Sequence, residues 1–179
     1  MTDIYRPDQW HDYFIAVGGA SAALTGLVFV AMSLNPSVIG QDPTHRHRAV
    51  GTLAGFTAIF VICFLGVMGG QDHQAVGLEW LIVSAVAGVV YVYGYIQAIR
   101  SGGSSVGLRP YRLVGGTALH IMEIVGAALL LLGYLAGLYV AAISMIGVLA
   151  FMISGAWLLI MGVSAHLPKG GKDNGRDAS

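Results

Sequence analysis

The sequence predicts an all-α membrane protein: a bundle of five transmembrane helices, N-terminus outside and C-terminus cytoplasmic. Three observations carry this. Hydrophobic residues make up 56% of the chain and charged residues 10%, where a soluble domain carries about 25% charged residues, and the mean hydropathy is +0.74. Polar or turn-forming stretches divide the apolar sequence into runs of about 20 residues or more, the length that crosses a hydrocarbon core roughly 30 Å thick. With five crossings, every Lys and Arg except Arg6 falls on one side of the membrane: Arg46 and Arg48, then Arg100, Arg109 and Arg112, then Lys169, Lys172 and Arg176. An excess of basic residues marks the cytoplasmic side. Four crossings would split the set.

The chain has room for one transmembrane domain, 1–167, and a polar tail, 168–179, expected to be disordered. Formal net charge is zero, and the single cysteine, Cys63, excludes an intramolecular disulfide. Asp3, Asp8 and Asp12 against Arg6 give the wrong charge for a signal peptide, so the first apolar run is expected to remain as a span.

Span 1 is expected over about 13–34, after a helix start at Pro7 or Asp8 and an interfacial cluster of Tyr5, Trp10, Tyr13 and Phe14. Gly18, Ala22 and Gly26 recur at helical spacing, a small-residue stripe that lets another helix come close. Asn35-Pro36 ends the span. Asp42-Pro43 then opens a helix carrying His45-Arg46-His47-Arg48, and span 2 covers about 49–69, with Gly51, Gly55, Gly66 and Gly70 as small-residue pairs. Span 3 covers about 76–99, with Trp80 near one interface and Tyr91, Tyr93 and Tyr95 in the other half. A Gly/Ser connection closes on Arg109-Pro-Tyr-Arg112. The apolar run that follows is long enough for two crossings, about 113–136 and 138–165, with the turn at 133–137.

Span 4 carries His120 and Glu123, one helical turn apart on the same side. Counted from Arg112, they lie about 12 Å and 16 Å into the helix, near the middle of the hydrocarbon core. Charge there is costly, so both side chains should face protein or water. Ser21 and Thr25 of span 1 lie at matching depth and are the nearest expected partners. Two readings follow: the pair passes a proton or lines a polar pathway, or it is a structural hydrogen bond that fixes helix register. Metal or haem ligation is weaker, because two ligands do not complete a site. No cofactor is expected.

A second constellation lies at the outer rim: Asp8, His11 and Asp12 before span 1, with Asp72, His73 and Glu79 around the start of span 3. They form either an acidic mouth that attracts cations or ordinary outer loops left acidic by the positive-inside bias. On the other side, Arg46, Arg48, Arg109 and Arg112 read as a rim that contacts anionic lipid headgroups. Eight scattered charges give no support to nucleic-acid binding. Soluble enzyme signatures are absent: Lys169-Gly-Gly-Lys172 lacks the strand and spacing of a phosphate-binding loop, and no Gly-x-Ser-x-Gly elbow occurs.

The segment Trp10-His-Asp-Tyr-Phe14, followed by Gly19-Ala-Ser-Ala-Ala-Leu-Thr-Gly-Leu-Val-Phe-Val-Ala-Met-Ser-Leu-Asn35, resembles the opening of small uncharacterised bacterial inner-membrane proteins. The likeness covers span 1 only. It implies a multi-pass protein of the bacterial plasma membrane, and no activity or functional residue.

The expected function is passage of protons or small ions past Glu123 and His120, with Ser21 and Thr25 nearby, in a homo-oligomer or a larger membrane complex. The alternative is a non-catalytic accessory or assembly subunit; an intramembrane enzyme or redox protein comes third.

Overall fold

The structure, a computed structural model, describes residues 7–34, 43–100 and 110–164, with side chains over 8–34, 46–47, 49–100 and 111–157. The described chain is all helical, and its five helices are α1 (Pro7–Leu34), α2 (Pro43–Val67), α3 (His73–Arg100), α4 (Pro110–Leu131) and α5 (Ala136–Ser164). Each contains a stretch long and apolar enough to cross a membrane, as a multi-pass membrane protein requires. The tail at 168–179 lies outside the described residues.

Local chemistry sets the helix ends. Proline opens α1, α2 and α4, where its missing N–H costs no hydrogen bond and its fixed φ suits the first turn. Asp72 caps α3, its Oδ1 accepting the Ala75 N–H at 2.8 Å. After α2 the chain turns through Gly70, whose φ is +82°. Gly133, at φ +85°, closes α4: its N–H donates to Leu130 O and the Tyr134 N–H to Leu129 O, both at 2.9 Å. That pair of hydrogen bonds is a Schellman motif, and it needs the left-handed backbone that glycine adopts without strain.

The turn therefore falls at 132–135, and α4 ends at Leu131 rather than near 136. Gly137, expected within the turn, belongs to the first turn of α5. A Cβ there would run into Leu130 N and lie 2.6 Å from Gly126 O. Gly126 is equally tight, since a Cβ there would lie 2.6 Å from Ala141 N. These two glycines let α4 and α5 meet backbone to backbone just past the turn.

Packing runs α2–α3–α4–α5 and closes from α5 back to α2, making a four-helix ring. Helix α1 lies outside it against α2 and touches α5 at one end. There Tyr13 donates to Ala142 O at 2.7 Å, and Trp10 meets Tyr139 at a ring distance of 5.1 Å. Phe14, 1% exposed, fills the space over Gly66 and meets Trp80 edge-on. The aromatic cluster expected at the interface is thus partly core.

The bundle is inverted relative to a soluble protein. Leu27, Phe29, Val89 and Leu132 are 64–71% exposed, while Ser21, Ser84, Ser144, His120 and Glu123 are all within 2% of full burial. Apolar side chains on the outside suit lipid, and polar ones must then find partners within the protein.

Candidate functional site

His120 and Glu123 point into the ring from α4, and each is 2% exposed. Their spacing of three residues stacks them on one helix face, with Nδ1 of His120 and Oε2 of Glu123 3.1 Å apart. That separation is hydrogen-bond distance. The far side of each group, His120 Nε2 and Glu123 Oε1, is buried and has no partner among the described residues. Thr117 Oγ1, one turn earlier on the same face, is likewise buried and unpartnered.

Helix α3 supplies the facing wall. Gly88 brings its backbone against His120, since a Cβ there would lie 3.5 Å from His120 Cβ. Tyr91 sits one turn further along, its ring 5.3 Å from the imidazole. Its hydroxyl donates to Arg112 O at 2.8 Å and occupies the space over Gly116 that any Cβ would fill. The contacts Gly77–Leu131 and Gly88–His120 set the α3–α4 register and bring Ser84 level with Glu123. Likewise, Gly126–Ala141 and Gly147–Leu119 bring Ser144 to that level on α5. From α1 and α2, Tyr13 and Cys63 come within electrostatic reach of Glu123.

Ser21 and Thr25 are placed differently from expectation. Ser21 Oγ donates to Phe56 O at 2.6 Å, and Thr25 Oγ1 donates to Ser21 O at 2.8 Å. Their hydrogen bonds serve the α1–α2 contact and the α1 backbone, and neither reaches Glu123. The cause is topological: α1 lies outside the ring, so equal depth does not bring its hydroxyls to α4.

The small-residue stripe of α1 is also divided. Gly18 is buried against α2, where a Cβ would lie 2.9 Å from Cys63 Cβ. Ala22 and Gly26 are exposed, and a Cβ at Gly26 would meet nothing within 4 Å. Steps of four residues on an α-helix rotate by about 40° each, so two steps carry Gly26 off the face that Gly18 presents. Within this stripe, close approach to another helix of the chain is confined to Gly18.

The outer-rim residues lie toward the turn end of the bundle, Asp8 in the first turn of α1 and others engaged locally. His11 Nδ1 lies 3.4 Å from Asp12 Oδ1 on an exposed face, Asp72 caps α3, and Glu79 accepts from Gln71 at 2.9 Å. His73 opens α3. Among the described residues no three His, Cys, Asp or Glu side chains come together in a way that could hold a metal ion.

At the opposite end Arg46 is exposed. Arg109 and the side chain of Arg48 lie outside the described residues. Arg112 departs from the expected headgroup rim: it is 9% exposed and turns inward over the Phe151 ring.

Sequence reasoning passed over Tyr13, Cys63 and Thr117. Thr117 carried a usable signal, standing one turn before His120 at the spacing that separates His120 from Glu123. Tyr13 and Cys63 carried none, because their approach depends on how α1 and α2 pack. The chain matches no protein-family model, no curated protein and no solved structure.

Proposed function

We propose that the chain is a multi-pass protein that exchanges and passes protons through the His120–Glu123 pair. The observation that carries this is a buried, bonded imidazole–carboxylate pair whose outer atoms, Nε2 and Oε1, have no partner among the described residues. Leaving such atoms unpaired costs about 1–3 kcal/mol each, which a purely structural tie would avoid. They are the positions at which a proton arrives and leaves. Contacts link Arg112 O to Tyr91, Tyr91 to His120 and His120 to Glu123, a polar line running inward from the basic end. Protons suit it better than hydrated ions, because α3, α4 and α5 meet backbone to backbone at Gly77–Leu131 and Gly126–Ala141, just beyond Glu123. The positive-inside bias supports an N-out, C-in orientation, and the resemblance of span 1 supports the bacterial plasma membrane.

The test is proton flux into proteoliposomes under an imposed gradient. Flux in the parent that is lost in Glu123→Gln, with the fold retained, supports the reading. Full flux in that variant removes Glu123 from it.

A second reading, a non-catalytic accessory or assembly subunit of a larger complex, is favoured by α1. Its outward face carries Ala16, Gly19, Ala20, Ala23 and Gly26, all exposed, which suits a second helix as well as lipid. Stoichiometric co-purification of a partner, with no flux in the parent, would favour it.

A further inference from the structure

Arg112 is a buried cation whose partners among the described residues are all neutral. Its Nη2 donates to Ser154 Oγ at 3.3 Å and to Phe151 O at 3.5 Å, both long, and its Cζ lies 4.9 Å from the Phe151 ring centroid. Ser154 Oγ already donates to the same Phe151 carbonyl at 2.6 Å, so that acceptor is shared. A guanidinium carries five N–H donors in a planar fork, yet among the described residues only Nη2 bonds to protein. Among the described residues no carboxylate is paired with it, and His11 is joined to Asp12 and His120 to Glu123. The rim carboxylates lie at the other end of the bundle, and Glu123 is about 16 Å further along α4.

The surroundings add positive potential. Arg112 stands in the first turn of α4, where backbone N–H groups lack helical partners and the helix dipole is positive. Gly155 of α5 makes room for the guanidinium, since a Cβ there would lie 3.0 Å from Nη2 and 3.9 Å from Thr52 Oγ1. The Thr52 hydroxyl of α2 is thus beside the same recess. A charge this buried is stable only with a counter-charge or dense hydrogen bonding. We propose that Arg112, flanked by Ser154 and Thr52, binds an anionic phosphate group between α2, α4 and α5 at the basic end of the bundle. The guanidinium fork matches two phosphate oxygens. The phosphate comes from the headgroup of an anionic lipid or from free phosphate. This inference is independent of the His120–Glu123 reading.

Delipidated protein in neutral detergent is titrated separately with phosphatidylglycerol, phosphatidylcholine and inorganic phosphate, reading thermal unfolding and bound lipid by native mass spectrometry. Phosphatidylglycerol should raise the unfolding midpoint of the parent and of Arg46→Gln by roughly 5 °C at saturation. Phosphatidylcholine should not, and Arg112→Gln should lose the shift. An Arg112-dependent shift with inorganic phosphate but none with phosphatidylglycerol assigns the site to free phosphate. Should Arg112→Gln not fold, Ser154→Ala decides: it keeps the guanidinium and should weaken binding about 5-fold. Equal shifts in the parent and Arg112→Gln, unchanged affinity in Ser154→Ala, or no shift with either phosphate source would overturn the proposal.

Discussion

The hydroxyl of Ser21 donates a 2.6 Å hydrogen bond to the main-chain carbonyl of Phe56, across the contact between α1 and α2. Both residues are fully buried, so the bond ties the outer helix to the ring where no water competes. Ser21→Ala should lower stability in detergent by about 0.5–1.5 kcal/mol, read as a lower unfolding midpoint. Proton flux should stay at the parental level, because the hydroxyl faces Phe56 and not Glu123. Lost flux in a folded Ser21→Ala protein would place Ser21 back on the path.

Gly18 and Gly26 separate two kinds of surface on one helix. Gly18→Leu must displace Cys63 and should cost about 1–3 kcal/mol through overpacking. Gly26→Leu adds a side chain where nothing lies within 4 Å, so the protomer should be affected by no more than about 0.5 kcal/mol. Unfolding midpoints give the first comparison, and size-exclusion chromatography adds a second. A Gly26→Leu protein with a parental midpoint but a smaller assembled size would show that the outer face of α1 contacts a partner.

Five helices were legible because hydropathy, proline and glycine act locally, and these also placed the breaks near Pro43, Gly70 and Gly133. The burial of His120 and Glu123 was legible from the cost of charge in hydrocarbon, and their mutual contact from helical spacing. Depth along a span, however, does not say which helices adjoin. Ser21 and Thr25 were therefore expected beside Glu123, while α1 stands outside the ring. The glycines that face another helix's backbone, Gly77, Gly126 and Gly137, were hard to read for the same reason: a glycine marks close approach only once its facing helix is known. Arg112 looked like a rim residue by position, and only the notch at Gly155 reveals an inward path for its side chain.

Sidedness is tested by thiol labelling, which the native sequence permits because Cys63 is buried. Single thiols introduced at Asp72, between α2 and α3, and at Ser104, between α3 and α4, should react from opposite sides of intact vesicles. Ser104 should be the cytoplasmic one, since Arg100 and Arg109 flank it. Labelling of both positions from one side is incompatible with α3 crossing the bilayer.

The His120–Glu123 pair makes the sharpest prediction, because its structural and functional roles separate under substitution. Glu123→Leu leaves Nδ1 of His120 buried without an acceptor or donor, which should cost about 1–3 kcal/mol. The double variant Glu123→Leu/His120→Leu removes both polar groups from an apolar site. It should be more stable than the sum of the two single changes allows, giving a coupling energy of about 0.5–3 kcal/mol in a double-mutant cycle. Glu123→Gln keeps size and one hydrogen bond to Nδ1, so its midpoint should stay close to the parent's. A structural tie and a proton relay agree on all of these stabilities. They differ in flux: a relay needs a titratable proton at residue 123, so Glu123→Gln and the double variant should both be silent in proteoliposomes while remaining folded. Parental flux in the stable double variant would leave the pair as a device for helix register and move the conducting path elsewhere in the ring.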